Sequence, residues 1–323
     1  MKYLICGGAG YIGAHLCKWL ARVGHEVTVL DNLSTGHRAA VRWGRLIEAD
    51  IVDRAGLFRA LEGVHADAVV HLCARSLVGE SMAVPYDYYA NNVAGTLNVL
   101  EWMRTRNVDK FLFSSTAAVF GHPQAELIDE GHPTLPINPY GRSKLMVERI
   151  LQDAAQAHGL RSVALRYFNA CGADEQGDIG ESHEPETHLI PNVLRAALSG
   201  ERVRIFGDDY PTPDGTCVRD YVHVNDLASA HELALKFMAC NEGAHVFNLG
   251  NGCGFSVKQV LAAAEEVVGR AIAAEAMPRR PGDPPVLVAA SRKAREVLGW
   301  SPAYTDMTRI IDTAWRWHRN PAY

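Results

Sequence analysis

Tyr3-Leu4-Ile5-Cys6-Gly7-Gly8-Ala9-Gly10-Tyr11-Ile12-Gly13-Ala14-His15 is the stretch that decides the fold. A short apolar run leads into glycines at 7, 10 and 13, and an apolar segment of helical character follows. The run predicts a strand buried on both faces. Gly7, Gly10 and Gly13 permit a tight turn and close backbone approach to a pyrophosphate, while Tyr11 and Ile12 open the helix whose free N–H groups point at it. Alone, such a pattern is only a turn; with a strand before it and a helix after it, it predicts a dinucleotide site. A second strand, over 26–30, ends at Asp31, 18 residues past Gly13. An acid there accepts hydrogen bonds from the adenosine ribose hydroxyls and repels a 2′-phosphate, which favours NAD over NADP. Asn32 and the Ser34-Thr35-Gly36 turn add donors and acceptors near the same ribose. Asp50 and Ile51 follow the next strand, where an adenine would rest.

Outward from this turn, short apolar runs at 68–72, 111–114 and 162–167 alternate with helical segments at 92–106 and 143–157. That alternation predicts an α/β, Rossmann-type doubly wound parallel sheet, covered on both faces and joined by right-handed crossovers. Beyond Phe168 the order weakens. Residues 172–187 are rich in Gly, Asp and Glu and read as a loop. Residues 189–198 and 256–268 read as helices, 210–215 as a turn-rich loop, and 277–285 as an irregular loop dense in proline and arginine. The expectation is an NAD-binding domain over 1–170, with 224–249 returning to it through a strand at 246–249. A smaller C-terminal α/β substrate domain covers 171–323.

Composition removes other classes. Of 323 residues, 48% are hydrophobic and 21% charged, as in a folded globular protein. Thirty-two Lys and Arg against thirty-seven Asp and Glu leave a net charge of -5, so no nucleic-acid partner is expected. The seven cysteines are dispersed and never form C-x-x-C, so neither a disulfide framework nor a metal site is expected. There is no signal-peptide pattern and no apolar stretch of membrane-spanning length, which points to the cytoplasm and to no membrane partner.

Tyr140 and Lys144 lie four residues apart after Pro139, which sets phenol and ammonium on one helical face. A phenol with a reference pKa of about 10 is a poor base at neutral pH; a neighbouring cation favours its phenolate. In isolation such a pair would be an ordinary surface feature. Ser114-Ser115-Thr116 changes that, because it ends a strand that opens at the same edge of the sheet. The Thr116 hydroxyl can hold a reacting oxygen while Tyr140 moves its proton. Ser/Thr, Tyr and Lys downstream of a nucleotide site form a hydride-transfer constellation.

The chain resembles the extended short-chain dehydrogenase/reductases and, within them, the UDP-glucose 4-epimerases, over nearly its whole length. The resemblance rests on the glycine turn, Val78-Gly79-Glu80-Ser81, Asn91-Asn92-Val93-Ala94-Gly95-Thr96, Pro139-Tyr140-Gly141-Arg142-Ser143-Lys144 and Arg166-Tyr167-Phe168-Asn169. The most specific block is Gly207-Asp208-Asp209-Tyr210-Pro211-Thr212-Pro213-Asp214-Gly215-Thr216-Cys217-Val218-Arg219-Asp220-Tyr221. It implies that Tyr140 is the general base and acid, that Lys144 partners the nicotinamide ribose, and that Thr116 contacts sugar O4. Asn92 would stand beside the cofactor, and Asn169, His188 and Leu189 beside the nucleotide-sugar. Arg219 and Arg280 would clamp the UDP pyrophosphate, and Asp283 the uridine ribose. It further implies a homodimer and a C4 inversion: oxidation to a 4-keto sugar, rotation of that sugar, and reduction from its other face.

Three positions depart from the most familiar bacterial pattern: Ser76 for a lysine, His188 for an asparagine, and Leu287 for a wall tyrosine or cysteine. Leu287 leaves UDP-N-acetylglucosamine or UDP-pentose epimerisation open as an alternative or second activity. A 4,6-dehydratase would need an Asp-Glu pair after the threonine, where Ala117 and Ala118 stand. A silent NAD-binding scaffold would not need the intact Thr116, Tyr140 and Lys144.

Overall fold

The apolar runs become seven parallel strands in the computed structural model, which describes residues 1–280 and 283–323. They are β1 (Lys2–Cys6), β2 (Glu26–Asp31), β3 (Arg45–Glu48), β4 (Ala68–His71), β5 (Lys110–Thr116), β6 (Arg161–Tyr167) and β7 (Ala244–Leu249), in the order β7-β6-β5-β4-β1-β2-β3. Alternate residues of each strand enter opposite cores. Ile5, Val70, Leu112 and Val163 meet Leu16, Leu20 and Leu227 from the helices Tyr11–Arg22 and Val224–Cys240. Leu4, Val69, Phe111 and Phe113 meet Leu57, Trp102 and Val147 from Arg54–Ala60, Thr96–Thr105 and Pro139–His158. Both faces are therefore dry, which is why the strands read as unbroken apolar runs rather than as alternation.

β1 has β2 on one side and β4 on the other, so the winding reverses beside it and opens a crevice at the strands' C-terminal ends. Cys6 pairs with Leu30 and with His71, and Thr116 with Tyr167, so the segments leaving β1, β2, β4, β5 and β6 all emerge along that edge.

The rest of the chain builds a second core, where Ile190, Leu194, Val260, Ile310 and Ile311 join the helices Leu189–Ser199, Val257–Val268 and Met307–Arg319. Short strands pair among themselves in two small sheets apart from the seven-stranded one. Asn169–Cys171 runs parallel to Val218–His223, which also pairs with Gly254–Ser256 and Val286–Leu287. Val203–Phe206 pairs with Ala274–Met277. These strands have six residues or fewer and carry no sustained alternation, so the sequence shows them only as loop.

Two helix starts differ from expectation. The segment read as helical from 92 begins as a π-helical turn, Ala90–Gly95, before the α-helix Thr96–Thr105. The helix expected from 143 starts at Pro139, where proline fits the first turn and Asn138 Oδ1 accepts from Gly141 N at 2.8 Å. That earlier start places Tyr140 in the first turn.

Candidate functional site

The glycine turn is built to bring backbone close to a ligand. Gly7 has φ +87°, and a Cβ there would lie 2.8 Å from Cys73 N; a Cβ on Gly13 would lie 2.0 Å from Gly7 O. Gly10 is different. Its Cβ would meet only Gly7 O, at an ordinary 3.5 Å, but as N-cap it leaves the start of the helix Tyr11–Arg22 uncovered by any side chain. Asp31 braces this cradle: its Oδ2 accepts from Ala9 N and its Oδ1 from Leu33 N, both at 2.9 Å. Burial pushes its carboxyl above the usual range, and those two N–H groups pull it back. Each oxygen keeps a lone pair for a ribose hydroxyl. Asn32 Nδ2 donates to Asp50 Oδ2 at 3.0 Å, linking the ends of β2 and β3. Ile51 is buried under Gly95, where a Cβ would lie 2.8 Å from Ile51 Cδ1.

Three residues expected at the cofactor spend their side chains elsewhere. The Tyr11 hydroxyl donates to Gly172 O at 2.6 Å, and Ile12 packs against the core, which leaves only their backbone at the turn. Asn92 uses all its hydrogen-bonding positions within the protein. Its Oδ1 accepts from Arg75 N and Asn91 Nδ2, and its Nδ2 donates to Arg75 O and Ser143 Oγ. Asn92 thus ties the segment after β4 to the helix that carries Tyr140 and Lys144.

Thr116, Tyr140 and Lys144 are brought together at the end of β5. Lys144 is 2% exposed; its Nζ donates to Ser114 O at 2.9 Å and lies 5.9 Å from the Tyr140 ring centre. Burial pulls its ammonium down to about 7, against the opposing pull of Cys73 and Glu148. Burial also pushes the Tyr140 phenol up, and Thr116 at its hydroxyl pulls it down. Both side chains are therefore biased towards their neutral forms, so a charge arriving in the crevice decides where the proton sits. Tyr88 holds the Tyr140 ring edge-on, with centres 6.5 Å apart, and is itself anchored to Leu77 O and Glu80 Oε2.

Sequence reading missed Glu148. It is buried one turn beyond Lys144, where it accepts from Ser115 Oγ at 2.5 Å and forms a two-pronged pair with Arg166, Nε to Oε1 at 2.9 Å and Nη2 to Oε2 at 2.5 Å. This clamp joins the helix to β5 and β6 and fixes the face bearing Tyr140. The spacing Tyr140–Lys144–Glu148 was the available signal, an acid on a helical face otherwise committed to the core.

The residues expected at the nucleotide-sugar lie on loops, short strands and the start of one helix. Asn169 Nδ2 donates to Asp220 O at 2.8 Å. Arg219 donates to Val218 O at 2.9 Å and Pro284 O at 2.8 Å, and its Nη2 lies 3.5 Å from Asp283. Arg280 is exposed and lies 3.9 Å above the Phe206 ring, a partner not foreseen. Leu287 pairs with Arg219 across the strands and packs with Ala117, Leu145 and Phe168 beside Thr116. Leu189 begins the helix Leu189–Ser199 and packs into the second core. His188 caps that helix, but its ring turns to Glu181, Nδ1 to Oε1 at 2.5 Å, within a group that also includes His183 and Glu186. No such group was expected from the sequence.

Comparison with known proteins places this arrangement. The model of the NAD dependent epimerase/dehydratase family matches residues 3–250. A UDP-glucose 4-epimerase of Halalkalibacterium halodurans is 49% identical over 320 residues, covering 99% of this chain and 96% of the relative. A crystal structure of a UDP-glucose 4-epimerase superposes with a TM-score of 0.97 at 50% identity, covering 99% of this chain and 98% of that one. The UDP-glucose 4-epimerase of Bifidobacterium longum, solved with NAD+ and UDP, gives a TM-score of 0.94 at 37% identity, covering 99% of each chain. The chain belongs to the NAD dependent epimerase/dehydratase family.

Proposed function

We infer that the protein interconverts UDP-glucose and UDP-galactose by inverting C4 with NAD as its resident cofactor. The observation that carries this reading is the convergence of Thr116, Tyr140 and Lys144 at the end of β5, within the crevice that the glycine turn also lines. The two glycine positions that a Cβ would fill, and the braced Asp31, fit a dinucleotide with a free 2′-hydroxyl. Bound NAD supplies the acceptor and then the donor of the C4 hydride.

The chain's own groups handle the proton and the sugar. Tyr140 takes the O4 proton and returns it after the sugar has turned, with Thr116 orienting O4. Lys144, near its own titration midpoint, supplies positive charge as the phenol becomes phenolate. Arg219 and Arg280 hold the pyrophosphate and Asp283 the uridine ribose, so the 4-keto sugar stays tethered while it rotates. Asn169, His188 and Leu189 border that sugar. The wall at Leu287 and Ala117 offers no side-chain hydrogen bond, which suits a hexose that must turn. Ala117 and Ala118, directly after Thr116, provide no acid for dehydration.

Residues 1–170 with 224–249 serve the cofactor, and 171–323 the UDP-sugar. A homodimer is part of this reading; the exposed apolar side chains Met82, Tyr86, Leu97 and Met146, on helices flanking the reacting centre, support it. So is the cytoplasm, supported by seven unpaired cysteines. Among the described residues no helix is long and apolar enough to cross a membrane.

Purified protein incubated with UDP-galactose should yield UDP-glucose without added reductant. No conversion in NAD-replete protein would overturn the reading. UDP-N-acetylglucosamine and a UDP-pentose run in parallel fix the breadth left by Leu287.

A further inference from the structure

We propose that Glu181, His183, Glu186 and His188 form a binding site for a divalent transition-metal ion of the zinc type. The four lie within eight residues, in the spacing Glu-x-His-x-x-Glu-x-His, and their ligand atoms all lie within 4.8 Å of one another. His183 Nδ1 is 3.3 Å from Glu181 Oε1 and 3.7 Å from Glu186 Oε2; His188 Nδ1 is 2.5 Å from Glu181 Oε1 and 3.7 Å from Glu186 Oε1. Four ligands at about 2.0–2.1 Å around tetrahedral zinc stand roughly 3.3–3.4 Å apart. Three of the four separations are already near that edge length. The His188–Glu181 contact must open, by about 0.8 Å, and the wider separations, none above 4.8 Å, must close on the ion.

The cluster asks for a cation. The side chains of Glu181 and Glu186 are only 4% and 1% exposed. Glu186 Oε2 and His183 Nδ1 are buried without a hydrogen-bond partner. Two carboxylates that close, out of water, are costly unless compensated. Without an ion the compensating charge must come from the imidazoles themselves, which burial pulls down but the carboxylates hold above their usual range, so zinc would displace their protons. Arg195 adds little, since its Nη2 stands 4.0 Å from Glu186 Oε2 and donates instead to His183 O. Two imidazole nitrogens with two carboxylate oxygens suit zinc better than calcium or magnesium, which prefer all-oxygen sites with more ligands.

The position suggests what the ion would do. The Tyr11 ring stands edge-on to His183, with centres 6.3 Å apart; Glu181 O accepts from Trp317 Nε1, and Ser182 O lies 3.1 Å from His37 Nε2. The ion would thus fasten the loop that delivers the helix Leu189–Ser199 to the helix that leaves the glycine turn. It is a structural clamp and takes no part in the C4 chemistry.

The test uses NAD-loaded protein stripped with a chelator and dialysed against zinc chloride. One zinc per chain is expected, with a melting temperature that rises on zinc addition. Glu186→Gln and His183→Ala should each weaken zinc affinity at least 100-fold, while His245→Ala, on the far edge strand, leaves it unchanged. Zinc uptake equal in the wild type and the Glu186→Gln/His183→Ala double variant would overturn the site. So would variants that lower the melting temperature equally with and without zinc, because the four side chains would then be a self-sufficient ion-pair network. Should those variants fail to fold, cobalt added to the wild type decides. The intense visible band of tetrahedral cobalt supports the site, and its absence at one equivalent overturns it.

Discussion

The proposed reacting centre and the loops proposed to grip UDP are built to opposite specifications. At the end of β5, Lys144, Asn92, Glu148 and Arg166 are each no more than 5% exposed and tied to neighbours by hydrogen bonds. At the other side of the crevice, Arg280 is exposed over Phe206, and Arg219 meets Asp283 only at 3.5 Å. Proton transfer demands groups held to a fraction of an ångström before substrate arrives. A charged grip on a flexible diphosphate can be completed by the ligand itself; in the proposed reading Asp283 would exchange the Arg219 cation for a ribose hydroxyl. Rigidity sits where bonds change, and adaptability where the substrate is kept.

The largest effect should come from the rigid side. Tyr140→Phe removes one oxygen from a packed ring and leaves Lys144 and Thr116 in place. We expect kcat for UDP-galactose to fall about 10³- to 10⁴-fold, with an unchanged circular dichroism spectrum. A drop below threefold would show that another group moves the O4 proton.

Next comes a stability contrast. Glu148→Gln leaves Arg166 buried without its carboxylate and should cost about 3 kcal/mol or more. Asp283→Asn breaks a partly exposed pair and should cost under about 0.5 kcal/mol. Urea unfolding of both variants measures the difference, and equal costs would erase the distinction between the two regions.

Lys144 offers a pH test of the same rigidity. Its native value of about 7 lies below the ordinary lysine range near 10.4. Between those values the unfolded chain holds a proton that the native state does not. Native stability therefore rises with pH across that window, and this gain is lost as pH falls towards 7. In NAD-stripped protein the wild type should gain up to about 1.4 kcal/mol per pH unit over Lys144→Met between pH 7.5 and 9. Parallel pH dependences would show Lys144 to be well solvated.

The same division governs what the sequence displays. The glycine turn, Asp31 and the Tyr140–Lys144 pair were legible because each depends on local spacing at the end of one strand or along one helix. Glu148 was not, because its partner Arg166 lies on a strand 18 residues away. Phe206 beneath Arg280 belongs to a short strand invisible to periodicity. Tyr11 and Asn92 were singled out from their motifs, but a sequence does not say which way a side chain turns. Both point into the protein, to Gly172 and Ser143. The Glu181–His188 cluster was hidden for a related reason: an acidic loop reads as solvated until the fold buries its carboxylates.

The smallest effect should separate the two arginines. Arg219 is 14% exposed and donates to two backbone carbonyls, so it is the better held of the two. Lysine at 219 keeps the charge but loses both the fork and those anchors; we expect KM for UDP-galactose to rise about 10-fold. Arg280 rests on Phe206 with its head in solvent, and lysine there keeps most of a screened, cation–π-supported charge, so a rise of about threefold is expected. In both variants kcat should hold, because a grip shared by ground state and transition state affects binding alone. A matched fall in kcat would mean that the clamp also orients O4 towards Tyr140, and that the division between the two regions is less sharp than their hydrogen bonding implies.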